Sequence, residues 1–143
     1  MTTSGFLMTD NEVKLIKEYC GAVAVSWYSR LKDGKESNQE TINAVGRLLR
    51  GGYITNIHYV VSKDTIDEAI TRLENDLFPK GINAVVFILY KPVGNGVAKK
   101  TLKSTDSRVE SFISLATKIT ILIEFDLICA LHLHYCAGRI MFR

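Results

Sequence analysis

Proline is nearly absent, at two in 143 residues, and glycine and cysteine are held to ten and three. So little proline and glycine excludes a collagen-like or low-complexity chain. The cysteines, Cys20, Cys129 and Cys136, are an odd count without framework spacing. That argues against a secreted disulfide scaffold and for a reducing, cytoplasmic setting. Charge of one sign is scarce too: 18 Lys and Arg face 15 Asp and Glu, a net of +3. This is too small to argue for nucleic acid, and no such partner is expected. Long apolar runs are missing. A membrane-spanning helix needs about 18 consecutive apolar residues, and the longest candidate, 119–135, is interrupted by Glu124, Asp126, His132 and His134. The opening MTTSGFLMTDNEVK lacks the basic patch and apolar core of a signal peptide. No membrane partner is expected. The length also excludes a complete eight-stranded α/β barrel, which needs about 250 residues.

What is present is 47% hydrophobic residue, enough for one core in a single α/β domain over 1–143, with 126–143 as a divergent tail. Val13, Leu15, Ile16 and Tyr19 fall at helical spacing behind a cap at Thr9 or Asp10. The run GAVAVSW (21–27) is continuously apolar, as suits a parallel strand buried on both faces. A polar loop with Asp33-Gly34 precedes a helix over about 38–49, with an apolar stripe of Ile42, Val45, Leu48 and Leu49 stopped by Gly51-Gly52. The pattern repeats in ITNIHYVV (54–61), then in a helix capped at Ser62 or Asp64 that carries Ile66, Ala69, Ile70 and Leu73. On that helix Glu68 and Arg72 are four apart and can pair on its exposed face. INAVVFILY (82–90) is a third strand, a helix follows over 107–118, and ITILIEF (119–125) is a fourth strand. Four strands separated by helices mean a parallel sheet with right-handed crossovers. Periodicity leaves an open sheet and a barrel segment as alternatives.

In α/β folds ligands gather at the C-terminal strand ends. Those ends are Ser26-Trp27-Tyr28, Val61-Ser62-Lys63, the stretch 90–96 and Glu124 to Asp126. The longest loop, KPVGNGVAKKTLKST, carries Gly94 and Gly96 with Lys91, Lys99, Lys100 and Lys103. Gly94-Asn95-Gly96 can bring backbone N–H groups to a phosphate or carboxylate, or serve simply as a flexible turn. The lysines read first as a solvated face, with an anion site as the alternative. In the tail, Cys129, His132, His134 and Cys136 gather metal-ligand types in one tract. A strand places His132, His134 and Cys136 on one face, and a helix places Cys129, His132 and Cys136 there; neither matches a zinc-finger spacing. Small buried thiols are the plainer reading. His58 reads as a core or barrel-lining histidine, and no nucleophile elbow occurs.

The run SKDTIDEAITRLENDLFPKGINAVVFILYKPVGNG (62–96) resembles the fifth and sixth strand regions of radical S-adenosylmethionine enzymes. Upstream, Thr3-Ser4-Gly5 is similar to the Thr-Asn-Gly that ends the third strand in that family, and VAVSWYS is similar to its fourth-strand segment. The resemblance spans about 3–125 and implies a partial (βα)6 TIM-like barrel. It implies S-adenosylmethionine and a [4Fe–4S] cluster as cofactors, and reductive cleavage of the former to a 5′-deoxyadenosyl radical that abstracts hydrogen from a substrate. By this resemblance Ser26 faces the cofactor ribose, and Val60, Val61 and Ser62 line the adenine side. Leu89, Tyr90 and Lys91 close the sixth-strand edge, and the loop with Gly94 and Gly96 borders the substrate.

The family holds its cluster by three thiolates in a C-x3-C-x2-C loop, and no pair among Cys20, Cys129 and Cys136 has either spacing. No counterpart of the family's second-strand GGE-type motif occurs. Glu124-Phe125-Asp126 and Cys136-Ala137-Gly138-Arg139 are similar to tail segments of some members, with the tract between them compressed. The expectation is a truncated or split homologue, inactive alone, whose cluster resides on a companion chain. A half barrel also exposes a strand edge, which invites that companion or a second copy. The alternative is a non-enzymatic α/β domain that binds a small anionic ligand at its strand ends.

Overall fold

The computed structural model describes residues 1–94 and 96–118. Four parallel strands alternate with helices: β1 (Thr2–Thr3), α1 (Asp10–Tyr19), β2 (Ala22–Ser26), a hairpin of β3 (Leu31–Lys32) and β4 (Lys35–Glu36), α2 (Gln39–Arg50), β5 (Ile54–Val61), α3 (Ile66–Glu74), β6 (Ala84–Leu89) and α4 (Ser107–Lys118). A single 3-10 turn, Ala98–Lys100, lies in the last loop.

The sheet order is β1-β2-β5-β6, which is the order along the chain. Right-handed crossovers that always step the same way put every helix on the same face. The core agrees. Val23 and Val25 of β2, Ile57, Tyr59 and Val61 of β5, and Val85 and Phe87 of β6 share one cluster. The same cluster takes Val13 from α1, Leu48 from α2, Leu73 from α3 and Phe112 from α4. Val25, Ile57 and Val85 are register neighbours across the three strands, so they project to one side. The opposite face carries Ala24, Asn56 and Ala84, then Ser26, His58 and Val86, then Val60 and Ile88. Ile54 and Val60 are exposed there. The apolar run of β2 thus has one face packed on helices and one bare of helices among the described residues, although Ala24 on that second face is buried and Ala22 and Ser26 are half-buried. This is the singly wound arrangement of a barrel segment, without closure among those residues.

Three strands coincide with the sequence reading. Its fourth, 119–125, lies outside the described residues, and the fourth strand observed is β1. Two residues are too few to show a period. β1 is held instead by pairing Thr2 and Thr3 with Ala24 and Val25, and by the Ala24 amide donating to the Met1 carbonyl at 2.8 Å.

The ends of the helices follow local chemistry. Thr9 caps α1 in a reciprocal capping box with Glu12, and these hydrogen bonds lower the Glu12 pKa. The Asn38 side chain accepts from the amides of Glu40 and Thr41 to start α2. Before α3, neither Ser62 nor Asp64 is the cap. The Ser62 and Asp64 amides donate to Thr65 Oγ1 and Ser62 Oγ, and the helix begins one residue after Thr65, which makes no side-chain cap. The Asp33-Gly34 loop is a two-residue turn with φ of 49° and 73°, the positive pair that a tight hairpin requires. It joins β3 to β4 where the sequence suggests only a loop.

Candidate functional site

Two concavities open where the chain leaves the C-terminal ends of the strands. The first is a cleft of about 380 Å³ across the tops of β2, β5 and β6. Ser26, His58, Val60, Ile88 and Tyr90 line it, with Thr65 from the turn after β5 and residues 27–30 from the chain after β2. Ser26 and His58 are register partners on the bare face. Trp27 and Tyr59, both nearly buried, also line the cleft. The indole Nε1 and the Tyr59 hydroxyl are buried without a hydrogen-bond partner among the described residues. A buried polar group left unmet costs roughly 1–3 kcal/mol. Burial, reinforced by the nearby charge of Glu68, pushes the Tyr59 hydroxyl up to about 12.

An ionic cluster braces the cleft. Arg72 of α3 is fully buried, its guanidinium 5.5 Å from the centre of the Trp27 ring and 5.6 Å from that of Phe78. It donates to both carboxylate oxygens of Glu36 at 2.7 and 2.9 Å, and through Nε to Glu68 at 2.9 Å. Ser29 donates to Glu36 at 2.5 Å, and Arg30 lies 3.6 Å from Glu68. Glu68 and Arg72 therefore do pair, but inside the molecule and not on the exposed face that helical spacing alone suggests. The hairpin brings Glu36 over α3 and closes the site. Burial on its own raises the Glu36 pKa; the hydrogen bonds from Arg72 and Ser29 and the charge of Arg72 outweigh it and hold the carboxyl below its usual value.

The second concavity, about 390 Å³, lies between the β5–α3 and β6–α4 loops. Lys63, Lys99, Lys103, Thr101, Thr105 and Asp106 line it. Arg108 grips Asp106 at 2.7 Å and Asp67 at 2.7 Å. The Asp106 carboxyl is consequently held down to about 2, chiefly by its hydrogen bond from Arg108. A backbone bond from the Lys63 amide to the Lys100 carbonyl, 2.9 Å, ties the two loops together.

The structure separates the residues singled out by resemblance. Ser26, Val60 and Tyr90 meet in the first cleft. Val61 is fully buried on the helix side of β5, and Ser62 is spent in the turn with Thr65. Leu89 packs against the core, and Lys91 is exposed. In the glycine loop, the Gly96 amide donates to the Val93 carbonyl at 3.0 Å and is not available to a ligand. A Cβ on Gly96 would stand 2.8 Å from the Pro92 backbone, so the residue is needed for a close approach. Gly94 sits at φ 59°, and Asn95 is outside the described residues. The tract Cys129, His132, His134 and Cys136 also lies outside them. Among the described residues, no group of three His, Cys, Asp or Glu side chains could hold a metal ion, and no helix is long and apolar enough to cross a membrane.

Sequence reasoning placed Trp27 at a strand end without its unmet indole N–H, and missed Tyr59, Arg30 and Thr65 as cleft residues. The signal for the first two is a pair of polar aromatics at apolar strand positions, whose N–H and O–H need partners when buried. No protein-family model matches the chain, and no curated protein is similar enough to match it.

Proposed function

We propose that the chain is the C-terminal barrel portion of a radical S-adenosylmethionine enzyme, and that its strand-end cleft supplies the nucleoside side of the cofactor site. The observation that carries this reading is the cleft itself. It joins Ser26, Val60 and Tyr90, three positions that the resemblance assigns to the cofactor, beside the buried rings of Trp27 and Tyr59. Its volume lies in the range of small-molecule sites, roughly 300–1,000 Å³. The sequential strand order and one-sided helices support the barrel segment that the family would require.

The residues fit the two implied cofactors unequally. S-adenosylmethionine offers ring nitrogens and hydroxyls as partners for the Ser26 and Tyr90 hydroxyls of the cleft, and a flat base to lie on Val60 and Ile88. A [4Fe–4S] cluster is held by thiolates, and Cys20 is the one cysteine among the described residues. Those residues do not provide that donor set, and in this reading a companion chain holds the cluster. The bare strand face and the short β1 edge are the surfaces that such a companion would meet.

Trp27 is the single tryptophan of the chain, so its fluorescence and its indole N–H resonance report on this cleft alone. Titration with S-adenosylmethionine is expected to move the indole resonance and the amides of Ser26, Val60 and Tyr90, and Trp27→Phe is expected to weaken binding. Resonances that stay fixed at saturating ligand would refute the cofactor reading.

The second reading is a non-enzymatic domain for a small anionic ligand at the same rim. The lysine-lined pocket favours it.

A further inference from the structure

We propose that the pocket between the β5–α3 and β6–α4 loops binds the phosphate of a small phosphomonoester. The inference deepens the anionic-ligand reading and stands without the cofactor one. Lys63, Lys99 and Lys103 line the pocket, and none of them forms an ion pair among the described residues. The neighbouring charges are already engaged: Lys100 with Asp64, and Arg108 with both Asp106 and Asp67. Asp106 is the one carboxylate in the lining, and the two bonds from Arg108 leave it neither free to repel an anion strongly nor placed to hold a cation. Counting Arg108, four cations surround the pocket against the two carboxylates of Asp67 and Asp106.

Uncharged donors complete the arrangement. Thr105 brings a hydroxyl to the lining, and Thr101 lines it too, its Oγ1 buried and without a partner among the described residues. The lining ends at Thr105 and Asp106, just before α4, and there the Asp106 carboxylate already accepts the Arg108 amide at 3.1 Å, so the helix end adds only its residual dipole. A phosphate monoester brings up to two negative charges and three acceptor oxygens. That matches three ammonium groups and two hydroxyls better than one carboxylate does. The bond from the Lys63 amide to the Lys100 carbonyl fixes one loop backbone against the other, so the ordering left to binding is chiefly that of the lysine side chains. The cations are concentrated here in a chain of net charge +3, which favours a small ligand over the extended basic stripe that a nucleic acid would track.

The test is an amide NMR titration of the full chain with glycerol 3-phosphate, succinate and a series of single-stranded oligonucleotides. Glycerol 3-phosphate is expected to move Lys63, Lys99, Thr101, Thr105 and Ser107, with weaker binding at higher salt. Lys63→Ala and Lys99→Glu are each expected to weaken it by about fivefold. Lys14→Glu, the same charge reversal on α1, is the fold and net-charge control and is expected to leave binding unchanged. Succinate binding as tightly as the phosphomonoester would overturn the phosphate inference while leaving the anionic-ligand reading. No response to either anion would overturn both. Oligonucleotide affinity that rises with length would overturn the small-molecule assignment in favour of a nucleic acid.

Discussion

Glu36→Gln should cost the fold about 2 kcal/mol at neutral pH, and the loss should fade in acid. The side chain holds Arg72 through two hydrogen bonds, at 2.7 and 2.9 Å. Charge-assisted bonds contribute about 1.5–3 kcal/mol each, and neutral ones about 0.5–1.5. Glutamine keeps one acceptor but turns an amide group toward the guanidinium. Two facts reduce the cost. Glu36 is partly exposed, and Glu68 still pairs with Arg72 at 2.9 Å, so the buried cation is never stripped of its counter-charge. With a urea slope of about 2 kcal/mol per molar, the unfolding midpoint falls by about 1 M. The pH dependence fixes the cause. The folded pKa of Glu36 is depressed, so its contribution is present above the unfolded value near 4.5 and disappears as pH falls through the folded value. Wild type and variant should therefore converge in acid. Urea titrations at pH 7, 5, 4 and 3, followed by Trp27 fluorescence, measure both effects. Equal midpoints at pH 7, or a gap that persists undiminished at pH 3, would refute the assignment of this stability to the ion pair.

Two further substitutions probe the packing beside the sites. Gly5 has φ 75°, and a Cβ there would lie 2.6 Å from the Ala44 Cβ on α2; Gly5→Ala should destabilise by about 2–4 kcal/mol in thermal unfolding, and a change below about 0.5 kcal/mol would show that the β1–α1 turn adjusts freely. Tyr59→Phe removes a buried hydroxyl that has no partner, so the free fold should be as stable or slightly more so. Since the folded pKa of Tyr59 is raised to about 12, wild type should lose stability between about pH 10 and 12 and the variant should lose less; identical alkaline limbs in circular dichroism would contradict that burial.

Helices and long strands were legible because burial on one side writes a period into the chain. Val45 and Leu48 of α2 and Ile66, Ala69 and Leu73 of α3 are buried as their spacing requires. What the spacing could not carry is anything decided by a distant partner. Arg72 sits four residues after Glu68 and looks like half of a surface pair, yet Glu36, 36 residues away, and the rings of Trp27 and Phe78 enclose it. β1 is legible only through the resemblance at Thr3-Ser4-Gly5, since two residues have no period. A cleft does lie at the strand ends that the sequence singles out, but its distinctive chemistry escaped. The orphan state of Trp27 Nε1 and Tyr59 Oη depends on what surrounds them in three dimensions.

The singly wound order accounts for the bare strand face and the position of both concavities together. A sheet that reverses direction carries helices on two sides and opens a crevice at the reversal. Here the order β1-β2-β5-β6 never reverses, so no such crevice exists among the described residues, and the loops after β2, β5 and β6 rise side by side along one rim. The β5–α3 turn is the shared piece. Thr65 faces the first cleft and Lys63 lines the second, while Ser62 is bonded to Thr65 between them. A turn so tightly bonded cannot yield at one end without moving the other. Resonances of Ser62 and Thr65 are therefore expected to respond to a ligand in either concavity, and silence of both during saturation of one would show that the two sites are mechanically separate.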